Sequence, residues 1–475
     1  MKVALFGNFG SSNLGNEATL QALLHNLRLY RPDVELTCIC LNPSQATTTH
    51  RVNATPISGG RVRSWTPRSA PSRLIRKVCI AVISEPYSWL KAFVTLRRTE
   101  MFIVPGTGLL TDAYGVFGAG PYSVFKWVLI AKARRCRILF LSIGAGPLHS
   151  FLGRRFVALA LSLADVRSYR DEATKRYLRG ISLKVDGDDL VYPDLVFSLP
   201  ETSPPKRQSN GGGPTVGLGI IESPGRYGAG GGVSDETHRA YLDALATFAV
   251  WLVDRGYAVR MLVGDGSDLH AKREFMDLLR ARAPDAEQHF LDDPISSVDE
   301  LRAQIATTDF VVASRFHNVV LSFVCGKPAI CVSFHEKCDA LMGVMGMDQY
   351  CLGMKSLAAS DLIETFRLLE QDASRLELVT RQRTSAFRTA LANQYDQAFA
   401  GLSLPSVELP EIPVGRPTAR LKSAESLVRL GRVHHSGGAP VSWIGRHGPG
   451  PGPSPPPKMP RSEIERAERK PRVTR

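Results

Sequence analysis

No apolar run in this 475-residue chain approaches the roughly 18 residues that a spanning helix needs. The nearest, Val78 to Leu96, is broken by Glu85, Pro86 and Lys91, so a membrane-spanning reading is excluded. No Cys-x-x-Cys pair occurs among the eight cysteines, which removes the usual zinc and dithiol signatures. The cysteines instead read as small buried thiols of a reducing cytoplasm. A secretory leader is not evident either, because Met1-Lys2 runs directly into the strand-like Val3-Ala4-Leu5-Phe6.

Net charge is also missing from most of the chain. The net charge is +14, but residues 61–100 carry nine Lys/Arg against Glu85 and Glu100, and residues 401–475 carry thirteen against six Glu. Each segment contributes +7 and the rest is close to neutral. Basicity confined to two segments argues against a nucleic-acid-binding surface. The first segment interleaves its basic residues with Trp65, Leu74, Ile75, Trp89, Leu90 and Phe93, a pattern suited to an anionic membrane surface as well as to a solvated loop and core helix.

What is present is an alternation of short β-rich runs and helical stretches, the pattern of βαβ units and parallel sheets. It predicts an α/β fold of two Rossmann-like doubly wound domains. Residues 1–200 form an N-terminal domain, and residues 201–400 form a C-terminal domain. Residues 200–214, rich in Pro, Ser and Gly, read as the linker. Residues 401–475 read as a disordered basic tail, since eleven of the sixteen residues 445–460 are Gly or Pro. Two such domains facing one another place a ligand cleft at the C-terminal ends of both sheets.

Strand-end loops are therefore where chemistry is expected. Gly7 to Glu17, which includes Asn8, Asn13, Asn16 and Glu17, joins a strand to a helix. It lacks the Lys of a P-loop and the spacing of a dinucleotide fingerprint. Gly106-Thr107-Gly108 and Gly144-Ala145-Gly146 follow two further strands, and a tight structural turn explains such glycines equally well. Arg170 precedes the acids Asp171 and Glu172 at a helix start and could face an anion or belong to a capping arrangement. The strand Phe310–Ala313 runs into Ser314-Arg315-Phe316-His317-Asn318, and the next strand ends in Phe334-His335-Glu336-Lys337. Adjacent parallel strands bring these loops together. Arg315, His317, His335 and Lys337 would then form a pocket for a small polyanion carrying carboxylate and phosphate. Gly264 to Asp268 is a further cleft-lining loop.

These residues, in this order, resemble the polysaccharide pyruvyltransferases. The resemblance rests on Gly7 to Leu20, Gly106 to Leu110, Ile143 to Pro147, Tyr169-Arg170-Asp171-Glu172, Pro193-Asp194, Ser314 to His317, Gly326-Lys327-Pro328 and Lys337. It spans roughly residues 1–370. Gly15-Asn16-Glu17 stands where the family has Gly-Asp-Glu, and Pro105-Gly106-Thr107-Gly108 where it has a glycine triplet.

The resemblance implies a GT-B-like fold, phosphoenolpyruvate as co-substrate, a pyruvate ketal as product, and no metal or other cofactor. It implies a saccharide or lipid-linked oligosaccharide acceptor; the expected place of work is the cytoplasm, with the basic segment 61–100 giving peripheral contact at the inner face of the plasma membrane. His317 is then the acid/base catalyst. Arg315, Lys337, Arg170 and His335 hold the donor. Asn8, Asn13, Asn16, Glu17, Gly106, Thr107 and Gly108 face the acceptor. A GT-B glycosyltransferase using a nucleotide sugar, or an inactive binding protein of a polysaccharide locus, shares the same architecture.

Overall fold

The structure, a computed structural model, describes residues 1–58, 85–113, 115–117, 119–181, 189–201, 213–223 and 233–399. Most of the basic segment 61–100 and the whole expected tail 401–475 lie outside the described residues.

Two parallel sheets carry the fold. The first is built from β1 (Lys2–Phe6), β2 (Glu35–Cys40), β3 (Asn53–Pro56), β4 (Met101–Pro105), β5 (Arg137–Ile143), β6 (Val166–Tyr169) and β7 (Leu190–Val191). Their spatial order is β3-β2-β1-β4-β5-β6-β7. The second contains β8 (Thr215–Gly219), β9 (Ala258–Met261), β10 (Phe290–Leu291), β11 (Phe310–Ala313), β12 (Ala329–Ser333) and β13 (Cys351–Gly353), in the order β10-β9-β8-β11-β12-β13. Every pairing is parallel, with Ala4 opposite Phe102 and Val312 opposite both Leu218 and Ile330. Each order reverses once, between β1 and β4 and between β8 and β11. Crevices open at such points.

The central strands are apolar on both faces because helices cover both sides. All residues of β4, β11 and β12 are buried. Helices begin where short polar side chains take up free N–H groups. Ser150, Asp171 and Ser234 each cap one, and Ser297 forms a reciprocal capping box with Glu300.

The two sheets share one core. Leu20, Leu23 and Leu27 of the helix Leu14–Tyr30 pack into the same cluster as Val319 and Phe323 of the helix Phe316–Val324. The long helix Ala373–Phe399 begins on the second sheet and ends on the first. There, Gln394 donates to Ser168 Oγ at 2.6 Å and Tyr30 donates to Asp396 at 2.6 Å.

Candidate active site

Three strand ends deliver the side chains that matter. β6 ends at Tyr169, and Arg170 follows, immediately before the N-cap Asp171. β11 ends at Ala313. The next helix starts at Phe316, so Arg315 occupies its N-cap position and Phe316 and His317 lie in its first turn. His317 is thus fixed by helical backbone instead of projecting from a loop. β12 ends at Ser333, and His335 caps the following helix by accepting from the Lys337 N–H at 3.2 Å.

These residues meet around the ring of Phe316. The Arg170 guanidinium lies 4.7 Å from the ring centroid and Lys337 Nζ lies 5.7 Å from it. Cations favour such positions because an aromatic face is electron-rich. The rings of Phe316 and His317 are perpendicular, 5.1 Å apart. The buried Asp194 completes the group, with Oδ2 3.5 Å from Arg170 Nη1 and 3.8 Å from His317 Nε2. Four elements from both halves of the chain therefore converge on one point.

The electrostatics of this group are those of an anion receptor. Lys337 has no ion-pair partner among the described residues, and Nζ also stands 6.0 Å from the ring of Phe334. Burial lowers its pKa, and Arg170 and Arg315 push in the same direction. Burial, then Lys337 and Arg170, lower that of His335. His317 is pushed down to about 4, by burial first and then by Arg170, Lys337 and Arg315, against the opposing pull of Asp194. Its imidazole is neutral at pH 7, and Nε2 has no hydrogen-bond partner. A buried polar atom without a partner costs free energy unless a ligand satisfies it.

Glycines of the cleft loops make room for these side chains. A Cβ on Gly15 would lie 2.0 Å from His317 Nδ1, and one on Gly144 would lie 2.6 Å from Arg170 Nη2. A Cβ on Gly264 would meet Asn318 Oδ1 at 2.3 Å and Arg315 Cδ at 3.1 Å. The glycine-rich loops are thus explained by close side-chain approach and not by turn geometry alone.

Several expected site residues are engaged elsewhere. Arg315 does not present a free guanidinium. It pairs with Asp268, bonding Oδ1 at 2.6 Å, and meets Ser267 Oγ at 2.9 Å and Asp265 at 3.4 Å. Burial raises the Asp268 pKa above the usual carboxylate value, and the adjacent Arg315 guanidinium opposes that shift. Glu17 is buried, accepting from the Ser11 N–H at 3.1 Å and pairing with His50 at 2.7 Å. Asn13 caps its helix by accepting from Gly15 and Asn16 N–H, and donates to Asp265 at 2.9 Å. Sequence spacing placed these polar groups at the cleft, but it did not reveal that Asp268, His50 and Asp265 would occupy them.

Other expected residues remain open. Asn8 Oδ1 and Thr107 Oγ1 are buried without hydrogen-bond partners, and Asn16 is half-buried at the start of its helix. A Cβ on Gly106 would press on the Ser142 carbonyl at 2.2 Å, and Gly108 sits at φ +67°, where glycine is favoured. Asp194 was part of the Pro193-Asp194 signature but had no role assigned from sequence. An acid three residues beyond a strand end, in line with Arg170, was the only signal available.

A clasp between the halves runs alongside. Leu14 N–H donates to the Gly264 carbonyl at 3.0 Å, and Ser12 donates to Asp265 at 3.0 Å. Bordering it is a cleft of about 1150 Å³ between the two halves, lined by residues that include Gln21, His25, Asp265, Lys272, Asp292 and Asp299. Arg170, His317 and Lys337 do not line it. The cation cluster, with its unsatisfied polar atoms, is the chemically distinctive site. Among the described residues, no group of three or more His, Cys, Asp or Glu is placed to hold a metal ion.

Solved structures share this architecture. The chain aligns with the Anabaena Alr3699/HepE complex with UDP at TM-score 0.53 and 13% identity, over 84% of this chain and 100% of that one. It aligns with the S. aureus MnaA–UDP structure at TM-score 0.53 and 12% identity, over 84% and 96%. Sucrose-phosphate synthase from Thermosynechococcus elongatus gives TM-score 0.50 and 12% identity, over 84% and 100%. At such identities the likeness is one of fold, the two-lobed GT-B-like arrangement. No curated protein sequence matches the chain. A family model described as polysaccharide pyruvyl transferase matches residues 13–336, a span that includes Arg170, Asp194, Arg315 and His317. The chain belongs to the polysaccharide pyruvyl transferase family.

Proposed function

We propose that the protein transfers pyruvate from phosphoenolpyruvate to a sugar of a polysaccharide or its lipid-linked precursor, forming a pyruvate ketal. The observation that carries this reading is the meeting of Arg170 and Lys337 over Phe316, beside a neutral His317. A donor with carboxylate and phosphate on one carbon needs two nearby cations and a proton carrier, and this cluster has both.

In the reaction the donor methylene gains a proton and becomes a methyl group. A sugar hydroxyl adds to the neighbouring carbon, the bond from that carbon to the phosphate oxygen breaks, and a second hydroxyl closes the ring. The two hydroxyls lose two protons; one ends on the methyl carbon and the other on the released phosphate. Arg170 and Lys337 neutralise the donor and the departing phosphate. His317 takes a hydroxyl proton through Nε2. The bound polyanion offsets the cations that depress the His317 pKa, so the imidazolium persists long enough to return the proton. Asp194 orients the imidazole and steadies its charged form.

Arg315, tied to Asp268, acts by positioning: it occupies the N-cap position of the helix that carries His317, and its guanidinium anchors that helix start to Asp268. The reading needs no metal ion. It places the work in the cytoplasm beside the membrane, where the donor and lipid-linked glycans meet.

Incubation of the protein with phosphoenolpyruvate and a panel of free and lipid-linked saccharides tests the proposal. Acceptor-dependent phosphate release is expected. Nucleotide release from a UDP-sugar without turnover of phosphoenolpyruvate, or saccharide binding with no turnover of either donor, overturns it.

A further inference from the structure

Of the sixteen large apolar side chains exposed among the described residues, eight come from one layer of the first half. That layer contains the helices 85–95, Pro121–Ala133 and Phe151–Ser162 and the segment before the second helix. Their inner faces, including Ala92, Trp127 and Val157, share one core against the first sheet. Trp89 Nε1 donates to Tyr122 at 3.1 Å, Lys126 donates to Ser88 at 2.9 Å, and Phe117 meets Phe156 at 6.4 Å, so the layer is continuous. Outward stand Tyr87, Leu90 and Val94 at helical spacing, then Phe117, Phe151 and Leu152. A contiguous exposed apolar surface of this kind marks an interaction site.

Its charge is one-signed. From residue 113 to residue 164 the chain has no Asp or Glu and seven Lys/Arg. The flanking acids are already engaged: Glu85 with Tyr122 and Lys126, Asp112 with the N–H groups of His149 and Ser150, and Asp165 with Lys132. Two guanidiniums lie over exposed rings, Arg134 at 4.5 Å from Phe93 and Arg155 at 5.1 Å from Phe151. Apolar side chains overlaid by basic heads match the boundary between acyl chains and anionic headgroups. An acidic protein would match the charge but not the apolar side chains.

We propose that this helical layer is the surface by which the protein lies on an anionic lipid bilayer. The topology orients it. The helices Pro121–Ala133 and Phe151–Ser162 each connect two neighbouring parallel strands and so run antiparallel to them, which puts Phe117, Phe151 and Leu152, at or before the helix N-termini, at the C-terminal edge of the sheet, where Gly106–Gly108 and Arg170 also lie. The bilayer then meets the rim of the reaction cleft, where a lipid-linked acceptor would be presented. Only this last step rests on the proposed reaction. No described helix is long and apolar enough to cross the membrane, so contact is superficial.

Sedimentation of the full chain with phosphatidylcholine vesicles, alone or containing 30% phosphatidylglycerol, tests the surface. Binding is expected only with the anionic lipid and is weakened by salt. The double variants R154E/R155E and L90S/L152S are each expected to lower partitioning by about tenfold or more while keeping the wild-type circular dichroism and melting temperature. Binding indifferent to lipid charge overturns the proposal. So does wild-type binding by both variants, which would move the contact to residues 59–84 or 401–475. Equal binding to soluble polyglutamate, unaffected by L90S/L152S, would assign the surface to an acidic protein and overturn it too. Phosphate release with a water-soluble acceptor, measured on the same samples, should be unchanged; its loss in wild type would tell against the reaction and leave the surface result intact.

Discussion

Gly15 and His317 occupy adjoining space so tightly that a single methyl group on Gly15 would stand 2.0 Å from the imidazole Nδ1. One residue belongs to the first helix of the chain and the other to a helix three hundred residues later. The position of the proposed catalytic base is therefore set by a glycine in the opposite half.

Gly15→Ala separates stability from activity. Alanine is favoured over glycine within a helix by about 1 kcal/mol, so the fold should survive while the imidazole is pushed from Asp194. A loss of about a hundredfold in phosphate release is expected, with the melting temperature near that of wild type. An active Gly15→Ala enzyme would show that His317 need not stay where it is.

His317→Ala should cost at least about a hundredfold in rate with the fold retained. The same residue gives a pH signature. Its pKa is about 4 in the folded protein and 6.5 when free, so between those values the unfolded chain takes up a proton that the native state refuses. Stability from this group is complete above pH 6.5 and is lost as the pH falls towards 4, by roughly 3 kcal/mol in all. Denaturant titrations at pH 7 and pH 4 should show a smaller fall in His317→Asn than in wild type; equal falls would mean that the imidazole titrates normally.

Lys337→Met removes a half-buried cation that has no ion-pair partner among the described residues. Replacement by an apolar side chain of similar volume is expected to leave the melting temperature unchanged or raised. The KM for phosphoenolpyruvate should rise about tenfold or more. An unaltered donor KM would remove Lys337 from the donor site.

Asp268→Asn breaks the buried clamp on Arg315, so that Asp265 and Ser267 are left to hold the guanidinium with one carboxylate fewer. A destabilisation of about 3 kcal/mol is expected in chemical denaturation. Arg315→Met/Asp268→Asn should recover part of it, because the uncompensated charge is then gone. Strict additivity of the two substitutions would show that they do not interact.

The sequence determined the two parallel sheets, because only helices on both faces allow strands as apolar as Phe310–Ala313 and Ala329–Ser333. It also pointed to the strand-end loops that bear Arg170, His317 and Lys337, since chemistry in such folds gathers at those ends. It could not show which polar groups were already taken. Arg315 reads like Arg170 along the chain, yet Asp268, forty-seven positions away, claims one, while the other lies across Phe316 beside Lys337, which has no ion-pair partner among the described residues. Glu17 and Asn13 went the same way, to His50 and Asp265. Pairing between polar groups is decided by distance in space, and that distance exists only in the folded chain: Asp268 meets Arg315 within the second half, His50 meets Glu17 within the first, and Asp265 meets Asn13 across the two. Local pattern fixes strands and loops through backbone preference and burial; the partner of each ion is left to tertiary packing.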